Sequence, residues 1–291
     1  MTYTVAALYR FVAVADPSAL RETLKPAFAD LGICGSLLIA PEGINGTLAG
    51  TAENIDAMLK LLETHCGLPR DVVKFSSAPE KPFNRLKIRL KRETITFEQP
   101  HVDPTQNVGT YVTPSEWDAL TANPDVLLLD TRNTYETDIG MFKGAVDPRI
   151  ENFTDFAAYV RENLDPKKHK RVAMYCTGGI RCEKASAFML AEGFEEVFHL
   201  QGGILKYLEE IPAEHSTWDG DCYVFDKRMA VGHGLSTGAY RMCFGCGRAL
   251  DATARAHPHY EDGVSCEHCH AVTSDEDKER FRERHRQMSA Q

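Results

Sequence analysis

No apolar run in this sequence approaches the roughly 20 residues needed to cross a bilayer, so no membrane partner is expected. An excess of positive charge is also missing: 33 Lys and Arg stand against 42 Asp and Glu, for a net charge of −9. That argues against general nucleic-acid binding, although a local basic patch escapes the average. No internal repeat is visible. The opening stretch VAALYRFVAVA is apolar, but it lacks a preceding basic region and Arg10 interrupts it, so it reads as a first strand rather than a leader.

What is present suits two or three domains: 291 residues, 43% hydrophobic and 26% charged. Nine cysteines in such a chain point to thiol chemistry and metal ligands in the cytoplasm rather than to a disulfide framework. Three segments are expected, at 1–98, 99–213 and 214–291. The first alternates strands near 3–13, 33–40, 44–49 and 85–97 with helices near 17–31 and 51–66, and 72–76 adds a short strand. Asp16 caps the first helix and Pro17 opens it. That order predicts an α+β ferredoxin-like, acylphosphatase-like sandwich.

The second segment alternates TPSEWDALTA (helix), VLLLD (strand), FTDFAAYVREN (helix), RVAMYC (strand), a helix from Glu183, and VFHLQGGILKYLEE (strand, turn, helix). Such alternation predicts an α/β unit with a parallel sheet. Beyond Pro212 the chain turns polar and rich in Cys and His.

The stretch YCTGGIRCEKAS places Cys176 on a turn between a strand end and a helix N-terminus. The amides of Thr177, Gly178, Gly179 and Ile180 are positioned to point inward there, aided by the helix dipole. With Arg181 alongside, the thiol is expected to be a thiolate at neutral pH. The bland alternative is a packing cysteine, for which Gly-Gly and Arg are unnecessary. Cys182 reads as packing, with resolution of an oxidised Cys176 as the other possibility.

KPFNRLKIRLKR (81–92) holds six basic residues and no acidic one. Arg85, Lys87, Arg89 and Lys91 fall on one strand face, about 6.7 Å apart, while Leu86, Ile88 and Leu90 fall on the other. Together with Lys81 and Arg92, that ladder suits a nucleic-acid backbone without sequence readout; a solvated outer face explains it equally well. Near the end, Cys243, Cys246, Cys266 and Cys269 form C-x2-C, nineteen residues, C-x2-C. That spacing fits a zinc ribbon with a closed, structural ligand set, for which His257, His259, His268 and His270 are spare ligands.

CTGGIR (176–181) resembles the active-site loop of rhodanese domains. DTRNTYETDIGMFKGA (130–145) resembles their Asp-x-Arg strand end, and LQGGILKYL (200–208) their closing motif. The six-residue loop is similar to that of sulfur-handling rhodaneses; related phosphatases carry one residue more. Asp130 and Arg132 read as a supporting ion pair. With PEGINGTLAG (41–50), the basic strand and FDKRMAV (225–231) included, nearly the whole chain resembles the tRNA uridine hydroxylases of the rhodanese superfamily. The resemblance implies oxygen-dependent conversion of a wobble uridine to 5-hydroxyuridine, with molecular oxygen as co-substrate and a tRNA anticodon loop, not DNA, as partner. No flavin, haem or two-histidine-one-carboxylate signature accompanies it, so the electron donor is left unnamed. A rhodanese-type sulfurtransferase and a non-catalytic RNA-binding adaptor are the rival expectations.

Overall fold

The computed structural model describes residues 2–289. Its first unit contains β1 (Tyr3–Phe11), α1 (Pro17–Asp30), β2 (Cys34–Ala40), β3 (Gly43–Gly50), α2 (Ala52–Cys66), β4 (Lys74–Ala78) and β5 (Leu86–Leu90). The sheet order is β4-β1-β3-β2-β5, with only β2 and β5 parallel. Asp16 caps α1 by accepting from the amides of Ser18 and Ala19 at 2.9 and 3.0 Å. Thr51 caps α2, and Gly67 ends it in the left-handed region. Both helices cover one sheet face, where Leu24, Phe28, Leu37, Ile39, Leu48 and Met58 are fully buried. The opposite face is left for function.

The last predicted strand stops at Leu90 rather than 97. The amide and hydroxyl of Thr94 both donate to Glu42 Oε1 at 2.7 Å, and Asn45 donates to its carbonyl at 3.0 Å. These bonds turn the chain out of the sheet, and Phe97 then stacks on Phe153 of the second unit at 4.6 Å.

That second unit comprises β6 (Thr110–Val112), α3 (Pro114–Thr121), β7 (Val126–Asp130), α4 (Thr134–Thr137), β8 (Gly140–Phe142), α5 (Phe156–Asn163), β9 (Arg171–Tyr175), α6 (Ile180–Ala191), β10 (Glu196–Leu200) and α7 (Gly203–Glu210). A parallel sheet in the order β6-β10-β9-β7 lies between two apolar layers. One contains Trp117, Tyr175 and Tyr207, the other Phe156, Met174 and Phe188. Because β9 is buried on both faces, it is a continuous apolar run rather than an alternating one.

Packing continues without a break past residue 213. β11 (Trp218–Gly220) pairs with β8, and a hairpin of β12 (Cys222–Tyr223) and β13 (Ala230–Val231) follows. Trp218, Cys222, Val231 and Leu235 complete the second unit's core. The hairpin of β14 (Arg241–Met242) and β15 (Ala249–Leu250) then leads through α8 (Ala252–Arg255) to α9 (Asp275–Ser289).

Buried polar contacts join the first two units. Lys184 of α6 reaches Glu42 at 2.8 Å and Glu93 at 2.6 Å, and Tyr9 donates to Glu183 at 2.6 Å. Among the described residues, no helix is long and apolar enough to cross a membrane.

Candidate active site

Cys176 is the first residue beyond β9 and is fully buried. Gly179, at φ 101°, turns the chain into α6, and its amide donates to the Cys176 sulfur at 3.1 Å. A Cβ on Gly179 would stand 2.9 Å from the Tyr9 hydroxyl, so glycine is required by both conformation and space. Gly178 has open space around it and carries no such requirement. The start of α7 braces the loop from behind: Ile204 and Leu205 amides bind the carbonyls of Cys176 and Thr177 at 3.0 and 3.1 Å. Loop carbonyls are thereby turned away from the sulfur.

Burial alone would raise the Cys176 pKa. A hydrogen bond from the Cys182 thiol, the Arg181 charge and the amides of Cys182 and Gly179 outweigh it and bring the value down to about 5. Cys182 is pushed the opposite way, by its own burial and by the adjacent sulfur. Its sulfur lies 3.6 Å from the Thr131 hydroxyl and packs in the second unit's core.

Arg181 does not extend freely toward the cavity. Its guanidinium grips Glu136 through two nitrogens at 2.6 Å each, and Glu136 also accepts from the Thr177 hydroxyl at 2.9 Å. Burial opposes ionisation of Glu136, but Arg181 and Arg132 hold its carboxyl below the usual range. This glutamate was missed in the sequence. The available signal was Asn133-x-x-Glu136, whose main-chain and side-chain bonds form the start of α4.

Asp130 and Arg132 form a fully buried pair with contacts of 2.7 to 3.1 Å. Arg132 also donates to the carbonyls of Glu136 and Gly140 and lies over the Trp218 ring. It supports the ground beneath Glu136 rather than touching the sulfur.

A cavity of ≈ 610 Å³ separates the loop from the uncovered face of the first sheet. Cys176, Thr177, Gly178, Ile180 and Arg181 line one side. Tyr9, Ser36, Leu38, Asn45 and Lys74 line the other, and Phe83, Phe153 and Phe225 add aromatic surface. The volume lies within the range of about 300–1,000 Å³ usual for small-molecule sites.

Strand register connects the basic segment to this cavity. Ser36 pairs with Lys87 and Leu38 with Arg89, so both cations share the sheet face that borders the cavity. Lys81, Arg85, Lys87, Arg89, Lys91 and Arg92 are all exposed, and among the described residues none makes an ion pair. Ile88 packs beneath the helices.

Lys74, Tyr9 and Glu183 were also missed. Burial raises the Glu183 pKa against hydrogen bonds from Tyr9 and Tyr111. Lys74 is lowered to about 8, chiefly by burial, with Cys176 and Glu183 opposing.

Cys243, Cys246, Cys266 and Cys269 converge elsewhere, with all four sulfurs within 4.8 Å of one another. Neighbouring sulfurs stand 3.7 to 3.9 Å apart, and this donor set fits a metal ion. None of the four lines the cavity. His259 and His270 stack on each other outside the cluster.

Residues 3–94 match the UPF0176 acylphosphatase like domain, and residues 113–210 match the rhodanese-like domain. A Teredinibacter turnerae protein named tRNA uridine(34) hydroxylase is 52% identical, over 98% of this chain and 89% of its own length. A Deinococcus radiodurans protein of the same name is 52% identical over 99% of this chain and 95% of its own.

Proposed function

The chain belongs to the tRNA uridine(34) hydroxylase family, and we propose that it converts the wobble uridine of tRNA to 5-hydroxyuridine, with Cys176 as nucleophile. One observation carries the assignment to this cysteine: a sulfur that accepts from the Gly179 amide lines a nucleotide-sized cavity whose opposite wall leads to the basic strand.

Uracil C5 gains the electron density it needs when a thiolate adds to C6. The S–C6 bond forms as the C5=C6 electron pair shifts toward O4. C5 then takes one atom of molecular oxygen, while the other leaves as water using two electrons and two protons from an external reductant. Loss of the C5 proton restores the double bond and expels the thiolate. Cys176 thus ends unchanged. The Gly179 amide and the Arg181 charge hold its charge before attack and after release. A persulfide on Cys176 is an alternative form of the same nucleophile.

An anticodon loop is single-stranded, so its base enters a pocket at modest cost and stacks on aromatic rings. The exposed ladder from Lys81 to Arg92 grips the flanking phosphates. The four cysteines hold a structural zinc, since a Zn–S bond of about 2.3 Å in a tetrahedron sets sulfurs about 3.8 Å apart. A cytoplasmic setting agrees with nine cysteines, none of them in a disulfide.

The test is mass analysis of tRNA nucleosides from cells with and without the protein, and with Cys176→Ser. Loss of 5-hydroxyuridine in both the deletion and the variant, with RNA affinity retained, is expected. Loss of thiolated bases instead would indicate sulfur transfer, and no change would leave an adaptor. An active Cys176→Ser variant would reject the nucleophile.

A further inference from the structure

Lys74 opens β4 on the cavity face, where it pairs with Ala7. Its side chain is only 7% exposed, lines the cavity and lies over the Tyr9 ring at 4.6 Å. Among the described residues it has no ion-pair partner, and its ammonium donates no hydrogen bond to any of them. The nearby carboxylate of Glu183 accepts from the Tyr9 hydroxyl instead. A buried ammonium with unused N–H groups is costly unless something else accepts from it. The other charged or titratable groups facing Lys74 are Tyr9 from β1, Cys176 and Glu183 from the loop and α6, and Lys206 from α7.

We propose that Lys74 is a further catalytic residue, one that donates to the uracil oxygen on which charge develops when Cys176 adds to C6. The inference rests on the C6-addition reading above. As the S–C6 bond forms, the C5=C6 pair moves onto O4, and the ammonium donates a hydrogen bond there without surrendering its proton. When the S–C6 bond breaks, the pair returns and the lysine is unchanged. The cation therefore stabilises the adduct more than the free base, which is what accelerates the step. The first domain thereby supplies part of the chemistry as well as RNA contacts.

The probe is an anticodon stem-loop RNA carrying 5-fluorouridine at the wobble position, which needs neither oxygen nor reductant to form the S–C6 bond. Wild type, Lys74→Met and Lys74→Arg are compared for adduct rate, RNA affinity, melting temperature and the pH profile of Cys176 alkylation. Expected for Lys74→Met is an adduct rate about a hundredfold lower or worse, comparable with removal of an oxyanion donor. RNA affinity stays near wild type, while the alkylation midpoint of Cys176 moves up, because the Lys74 ammonium and the Cys176 sulfur favour each other's charged form. Melting temperature holds or rises, since a desolvated charge is replaced by an apolar chain of similar length. Lys74→Arg restores part of the rate. The wild-type rate falls above about pH 8 as the lysine deprotonates, and that limb moves upward in Lys74→Arg. A Lys74→Met rate equal to wild type overturns the lysine's role alone. So does a loss fully recovered at a pH that re-ionises a shifted thiol, because the lysine would then act only through sulfur. Absence of any wild-type adduct overturns C6 addition, and the lysine's role with it.

Discussion

Replacing Glu136 with alanine tests whether the Arg181–Glu136 pair holds the loop. The carboxylate accepts two 2.6 Å bonds from Arg181 and one of 2.9 Å from Thr177, and it has no solvent exposure. Arg181 is only 6% exposed, so bulk water replaces the lost partner poorly. Breaking a buried pair in this way costs about 3–5 kcal/mol. The stranded Thr177 hydroxyl adds about 1 kcal/mol. The sum is a large part of the ~5–15 kcal/mol that keeps a typical domain folded. Urea unfolding can be followed by the fluorescence of Trp117 and Trp218, the chain's two tryptophans, both in the second core. The slope grows with the surface exposed on unfolding; at about 2–3 kcal/mol per molar, the upper part of the usual range, the midpoint should fall by roughly 1–3 M. The thiol responds in the opposite sense. Without the carboxylate, the Arg181 charge acts on Cys176 undiminished, so the midpoint of alkylation moves down. A stability loss under about 1 kcal/mol, or a thiol that becomes less acidic, would refute this reading of the pair.

Reversing two cations, with Lys87→Glu and Arg89→Glu, should weaken tRNA binding across sequences. The slope of log affinity against log salt should fall by about 1.4, from roughly 0.7 per single-strand contact; an unchanged slope in filter binding would make the strand a solvated face. Elemental analysis should find one zinc per chain, and chelation should open residues 241–272 to protease; a metal-free sample that resists digestion there contradicts the ribbon. Stability should carry the ionisation of Cys176 as a pH term. The folded thiol sits near 5 and the unfolded one near 8.5, so between these values only the unfolded chain holds the proton. The stabilisation is complete above the unfolded value and is lost as pH falls toward about 5, by up to about 1.4 kcal/mol per unit. The urea stability gap between wild type and Cys176→Ala should therefore widen from pH 6 to pH 8, and a constant gap would contradict an ionised thiol.

Features encoded within a few residues were legible in the sequence. RVAMY is buried on both faces of a parallel sheet and has the continuous apolar run such burial produces. Likewise, the two C-x2-C knuckles need only their own turns to aim their thiols, and the stretch after Asp16 carries its own cap and proline. Features that depend on distant chain were not legible. Glu136 carried no signal of its own role, because its partner Arg181 comes from a helix 45 residues away. Lys74 stood at the start of a five-residue strand, and only the docking of the second domain buries it. WDG, CY and AV are too short to show any periodicity, yet Trp218, Cys222 and Val231 finish the second core. Residues 91–97 resembled a longer strand because the bonds from Glu42 and Asn45 that divert them cross some 50 positions.

The ionisation of one sulfur decides the most. Alkylation of the intact protein by iodoacetamide, read at Cys176 alone by peptide mass analysis from pH 4 to pH 10, gives its titration directly. A midpoint near 5 is expected, with full reactivity at neutral pH. A midpoint near the 8.5 of an ordinary thiol would contradict the thiolate from which the proposed chemistry starts.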